Sequence, residues 1–144
     1  MHSDLRLTLA AFAVLFLLMQ VACKKEDSSP TQPTNANVGG TWSGTGSDNS
    51  GPGTFTFALT QNGTNVSGTW SARDSQTGIT VNGTLSGTVS GNNFQGQMIG
   101  GALNCVVTVS FTASISGSSM SGTYSGTSSC AGAVTNGRFN LTKQ

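Results

Sequence analysis

From Val38 to the C-terminus, large apolar residues alternate with Thr, Ser, Asn and Gln, as in Phe55-Thr56-Phe57-Ala58-Leu59 and Phe111-Thr112-Ala113-Ser114-Ile115. A period of two marks strands with one buried face, because successive side chains leave a strand on opposite sides. No stretch carries the spacing of an amphipathic helix. Glycine-containing dipeptides divide the pattern and fix trial registers. A two-residue loop at Asn62-Gly63 sets Leu59 opposite Val66, Phe57 opposite Gly68 and Phe55 opposite Trp70. One at Gly91-Asn92 sets Val89 opposite Phe94, Gly87 opposite Gly96 and Leu85 opposite Met98. A third, at Gly117-Ser118, sets Ile115 opposite Met120, Ala113 opposite Gly122 and Phe111 opposite Tyr124. A last tight turn at Ala131-Gly132 sets Tyr124 opposite Phe139 and Gly122 opposite Leu141.

The fold predicted is all-β: eight strands near residues 40–46, 53–61, 65–73, 78–90, 93–99, 104–116, 119–130 and 133–143. Short connections make it an antiparallel up-and-down meander. Such a sheet leaves two open edges unless the last strand pairs with the first, so a small closed barrel is expected. A repeated apolar-x-Gly-x-apolar unit supports tight coiling. It occurs at Val38-Gly40-Trp42, Val66-Gly68-Trp70, Val81-Gly83-Leu85, Phe94-Gly96-Met98 and Met120-Gly122-Tyr124, with the glycine expected inward. Extending the third hairpin outward brings Cys105 opposite Cys130. Directly opposed residues of a non-hydrogen-bonded antiparallel pair have Cα atoms about 4.5 Å apart, within reach of a disulfide. The turn assignments made no use of the cysteines, so this agreement supports them.

A different pattern opens the chain. Arg6 is followed by an apolar run, Leu7–Met19, interrupted only by Thr8, then Gln20-Val21-Ala22-Cys23 and Lys24-Lys25-Glu26-Asp27. The run is short for a bilayer span and has the form of a secretory signal. Val21-Ala22-Cys23 resembles the bacterial lipobox, in which small residues precede a cysteine that receives lipid; Gln20 stands where the family prefers Leu. The resemblance implies a signal peptide at 1–22 and lipid attachment at Cys23. Residues 24–37 are polar with two prolines, and 23–37 are expected to be the lipidated cysteine and its tether. The β domain would span 38–144. Ordinary signal cleavage, with Cys23 left free, and an uncleaved anchor are the alternatives. Lys24 is unlike the Asp that retains some lipoproteins at the inner membrane, so an outer-membrane location is expected. A disulfide between Cys105 and Cys130 fits an oxidising envelope compartment.

Composition narrows the chemistry. Only 8% of residues are charged and the net charge is +1, which gives nucleic acid no electrostatic footprint. Beyond the tether the charged residues are Asp48, Arg73, Asp74, Arg138 and Lys143, with no histidine and no glutamate. Both aspartates are expected in loops, with Arg73-Asp74 a solvated pair. No paired acid and base, nucleophilic triad or metal-ligand set can be assembled from these residues, so neither an enzyme nor a cofactor is expected. A transmembrane barrel would turn the apolar row toward lipid, but glycine interrupts that row in most strands.

Gly40-Thr41-Trp42, Phe55-Thr56-Phe57 and Val66-Ser67-Gly68-Thr69-Trp70-Ser71-Ala72 resemble the opening of the avidin and streptavidin family, which stands with the lipocalins among eight-stranded up-and-down barrels. The resemblance covers about the first three strands and implies the barrel architecture. It does not extend to biotin. Gly44 and Asp48 stand where the family has Asn and Ser, and Trp70 and Ala72 where it has Tyr and Ser. Two readings of function stay open. In one, the barrel admits a small apolar or aromatic ligand lined by Trp42, Phe57, Trp70, Phe111 and Tyr124. In the other, these aromatics fill the core and the domain is a structural or protein-interaction element of the cell envelope.

Overall fold

A computed structural model describes residues 34–144. The alternation becomes eight strands: β1 (Gly40–Asp48), β2 (Gly51–Asn62), β3 (Asn65–Asp74), β4 (Thr80–Ser90), β5 (Asn93–Ala102), β6 (Cys105–Ser116), β7 (Ser119–Ser128) and β8 (Gly132–Lys143). Each pairs antiparallel with its successor, and β8 returns to β1, so the sheet is a closed barrel. The closing seam runs from Trp42 opposite Lys143 to Ser47 opposite Arg138. Closure gives every strand two neighbours and removes the exposed edges of an open meander.

The period-two pattern decides which face is inside. Along β2, Phe55, Phe57 and Leu59 are buried while Thr54, Thr56, Ala58 and Thr60 are exposed. β6 repeats this with Val109, Phe111, Ala113 and Ile115. The apolar row therefore faces inward, and no polar or charged residue is fully buried among those described.

Two of the four turn registers hold as read from the sequence: Ser90 pairs with Asn93 around Gly91-Asn92, and Ser116 with Ser119 around Gly117-Ser118. The β2–β3 register differs. Its loop is Gly63-Thr64, with Asn62 opposite Asn65, so Phe57 faces Trp70, Leu59 faces Gly68 and Phe55 faces Ala72. Gly63 has φ +61° whereas Asn62 has an ordinary φ. A tight turn with glycine in its first central position is the type II′ hairpin, and Gly91 and Gly117 begin the other two loops in the same way. The shift is two residues, so every side chain keeps its face.

The β7–β8 hairpin departs further. Ser128 pairs with Gly132 across a three-residue connection, and Gly122 faces Phe139 while Tyr124 faces Gly137. Between Tyr124 and Gly126 the register shifts, so Thr135 and Asn136 together oppose Ser125. Val134 and Phe139 are both buried yet differ in parity, so an extra residue must be absorbed between them. Asn136 absorbs it at φ +57°, a left-handed conformation that asparagine tolerates better than most residues.

Candidate binding site at the open end of the barrel

The two ends of the barrel are built differently. At one end lie the tight β2–β3, β4–β5 and β6–β7 turns, together with residues expected in the tether. Asn35–Asn37 are hydrogen-bonded to the barrel instead. Ala36 N–H donates to the Gly91 carbonyl at 2.8 Å, and Gly91 N–H donates to Asn35 Oδ1 at 2.8 Å. The Gln61 amide bridges the same segment, accepting from Val38 N–H at 2.7 Å and donating to the Ala36 carbonyl at 3.1 Å. Trp42 Nε1–H donates to the Val38 carbonyl at 2.8 Å, and both side chains are fully buried. Lys143 Nζ lies 5.5 Å from the Trp42 ring centre and donates to the Asn37 carbonyl. This end is sealed. Gly40, expected inward, is exposed at φ +115° because the chain turns there from the seal into β1.

Above the seal, aromatic rings interlock. Phe57 and Phe139 meet edge to face at 5.4 Å between centres, as do Phe94 and Phe111 at 4.9 Å. Such pairs add about 0.5–1.5 kcal/mol each beyond the area they bury.

Toward the other end the filling stops. A cavity of about 400 Å³ opens among Phe55, Trp70, Val81, Met98, Val109 and Tyr124. Its rim carries Asp48, Asp74, Ile79, Leu103 and the Cys105–Cys130 disulfide. The bridge forms where the third hairpin predicts, with Cα atoms 5.5 Å apart, just beyond the last ladder pair, Val107 and Ser128. Two depressions of about 450 Å³ each lie on the outer wall, but polar outward residues such as Gln95, Ser110, Thr112 and Thr123 border them. The interior cavity is the one with an apolar lining.

The five aromatics proposed from sequence divide between these layers. Trp70 and Tyr124 line the cavity. Trp42 belongs to the seal, and Phe57 and Phe111 to the interlocked core; none of the three lines the cavity. Phe55 does line it, 5.7 Å from Tyr124 between ring centres. One inward stripe thus supplies a core residue at Phe57 and a cavity residue at Phe55. Parity reads the face of a side chain, not its height along the barrel. Cys23 lies outside the described residues.

Both aspartates end strands rather than sitting in loops. Asp48 extends the inward parity of Trp42, Gly44 and Gly46, a signal already present in the sequence. Tyr124 donates its hydroxyl to Asp48 Oδ2 at 3.0 Å. Burial raises the Tyr124 pKa well above its ordinary value, and the charge and hydrogen bond of Asp48 add to the shift. Asp74 Oδ1 accepts from the backbone N–H of Thr77 at 2.6 Å and of Gln76 at 2.8 Å. The Thr77 amide does most to hold this exposed carboxyl below the usual carboxylate range. Trp70 Nε1–H donates to the Ile99 carbonyl at 3.3 Å. Among the described residues no group of three His, Cys, Asp or Glu side chains is arranged to hold a metal.

Fold and site together define a class: a closed eight-stranded antiparallel barrel, packed at one end and open at the other over an apolar cavity. No family model, curated protein or solved structure matches the chain.

Proposed function

We propose that the chain is a lipid-anchored protein of the bacterial envelope whose barrel takes up a small apolar or aromatic molecule at its open end and performs no reaction on it. The cavity of about 400 Å³ beneath the Cys105–Cys130 rim carries the binding half of this reading. Its size and its few polar groups on an apolar wall are those of small-molecule sites. The anchoring half rests on the apolar run Leu7–Met19 and the lipobox resemblance at Val21-Ala22-Cys23, with outer-membrane sorting as the expected destination. The described chain enters the barrel at the sealed end, opposite the mouth. The absence of histidine and glutamate from residue 38 onward supports a non-catalytic role.

The test is a titration followed by amide NMR, with indole as the apolar probe. Shifts confined to residues around Phe55, Trp70, Val109 and Val134 are expected; no shifts at millimolar indole would defeat the binding reading. Cys23→Ser is expected to release the protein from the membrane fraction, and unchanged association would defeat the anchor. One observation favours the second reading, a protein-interaction element. The exposed large apolar residues Ile79, Ile99, Leu103 and Val106 all lie on or beside the β5–β6 hairpin.

A further inference from the structure

The charged groups at the mouth are unevenly placed. Asp48, the last residue of β1, turns its carboxylate inward, accepting from Tyr124 on Oδ2 and from Ser50 N–H on Oδ1 at 2.7 Å. Asp74, the last residue of β3, continues the inward parity of Trp70 and Ala72 and stands at the rim. Asp48 pairs with Gly51 and Asp74 with Gly53, so the two flank β2. Two strand spacings separate their backbones by about 10 Å. Gly51-Pro52-Gly53 between them offers little side chain to screen either carboxylate.

The other elements that reach the mouth bring no opposing charge. β4 contributes Val81 after Ile79; β5 and β6 contribute Ala102, Leu103, Cys105 and Val107; β7 and β8 contribute Ser128 and Val134. One cation shares this lining: Arg73, next to Asp74, is exposed with its guanidinium against the Gly78 turn, while Arg138 lies exposed on β8 opposite Ser47. Two carboxylates against one guanidinium leave the mouth net negative among the described residues. Below the rim stand three aromatic rings, Phe55, Trp70 and Tyr124. The hydrogens of the two polar rings are already committed, to Ile99 O and to Asp48. Ile79, whose carbonyl accepts from Asp74 N–H, is 41% exposed beside the acidic arc, and Leu103 between β5 and β6 is 76% exposed, so the rim also has apolar surface.

We infer that the open end selects organic cations: a compact aromatic or branched apolar body bearing an amine or quaternary ammonium group. The inference rests on the binding reading above and specifies its ligand class. The inward carboxylate of Asp48 and the carboxylate of Asp74 at the rim attract the cation, and low-dielectric walls focus their field. Aromatic faces add cation–π attraction when the cation comes within about 6 Å of a ring centre. The apolar body fills the space over Met98 and Val109. An organic anion of the same shape meets the net negative charge of the rim and binds more weakly.

Phenyltrimethylammonium, its neutral isostere tert-butylbenzene and the anion 4-tert-butylbenzoate separate these terms, with Trp fluorescence and calorimetry on the full barrel as readouts. The cation is expected to bind at least as tightly as the neutral compound, despite its stronger hydration, and at least tenfold more tightly than the anion. Asp48→Asn with Asp74→Asn keeps the hydrogen bonds that Asp74 accepts on its one engaged oxygen and one of the two that Asp48 accepts. It should weaken the cation at least fivefold and leave tert-butylbenzene within twofold. Tight binding of the neutral compound with none of the cation, or cation binding unchanged in the double variant, would overturn the cation preference and leave the binding reading standing. Failure of all three probes would overturn both.

Discussion

Tyr124 is the one tyrosine in the chain, so its ionisation can be followed without interference. Burial first, and the Asp48 carboxylate second, disfavour the phenolate. A folded pKa raised above the ordinary 10.0 means that the unfolded chain releases the proton more readily. Stability from this group is fully present below pH 10 and is lost as pH rises from there toward the folded value. Tyrosinate absorbance at pH 11 is therefore expected to appear only with unfolding, and Tyr124→Phe should flatten the alkaline fall in stability. A titration of the folded protein centred near pH 10 would contradict this. At Gly96 the constraint is steric. A Cβ there would meet the Ser86 carbonyl and sit 2.7 Å from Gly87 Cα, both backbone atoms that cannot swing aside. Gly96→Ala is expected to cost about 1–3 kcal/mol by chemical denaturation, the usual range for overpacking. Gly63→Asn, in open space at φ +61°, should cost well under that.

At the scale of elements, the strand pattern was plain in the sequence because one face of each strand is buried and alternation survives any even shift. Register was less plain. Asn62-Gly63 and Gly63-Thr64 both make two-residue loops with a positive φ at Gly63, and the ordinary φ of Asn62 separates them. The bulge at Asn136 was hidden because a single residue reverses parity between Val134 and Phe139 without changing composition. The sealing segment was unreadable for another reason: Asn35 and Ala36 have no periodicity, and their partners Gly91 and Gln61 lie far along the chain. Gln61→Ala removes the amide that joins this segment to β2. It should lower stability by about 1–3 kcal/mol and shift Trp42 emission to longer wavelength as the seal loosens. The disulfide fastens the opposite end. With a sequence separation of 25 residues, its reduction should cost roughly 3 kcal/mol in thermal or denaturant unfolding, without loss of β-sheet signal at room temperature.

For the whole molecule, closure between β1 and β8 makes the barrel one cooperative unit with its interior divided by height. Packed rings and the Val38–Trp42 seal occupy one half, and an apolar hollow occupies the other. The sequence placed all five candidate aromatics inside the barrel, but only Trp70 and Tyr124 reach the hollow, because height follows from strand stagger and closure, which no local pattern encodes. The two tryptophans stand on opposite sides of that division: Trp42 in the seal and Trp70 at the hollow. Single-tryptophan barrels, Trp42→Phe and Trp70→Phe, titrated with the indole-free ligands phenyltrimethylammonium and tert-butylbenzene, therefore report on this division by height. Saturable quenching of Trp70 with Trp42 unchanged is the result it predicts; a response from Trp42 alone, or from neither, would contradict it.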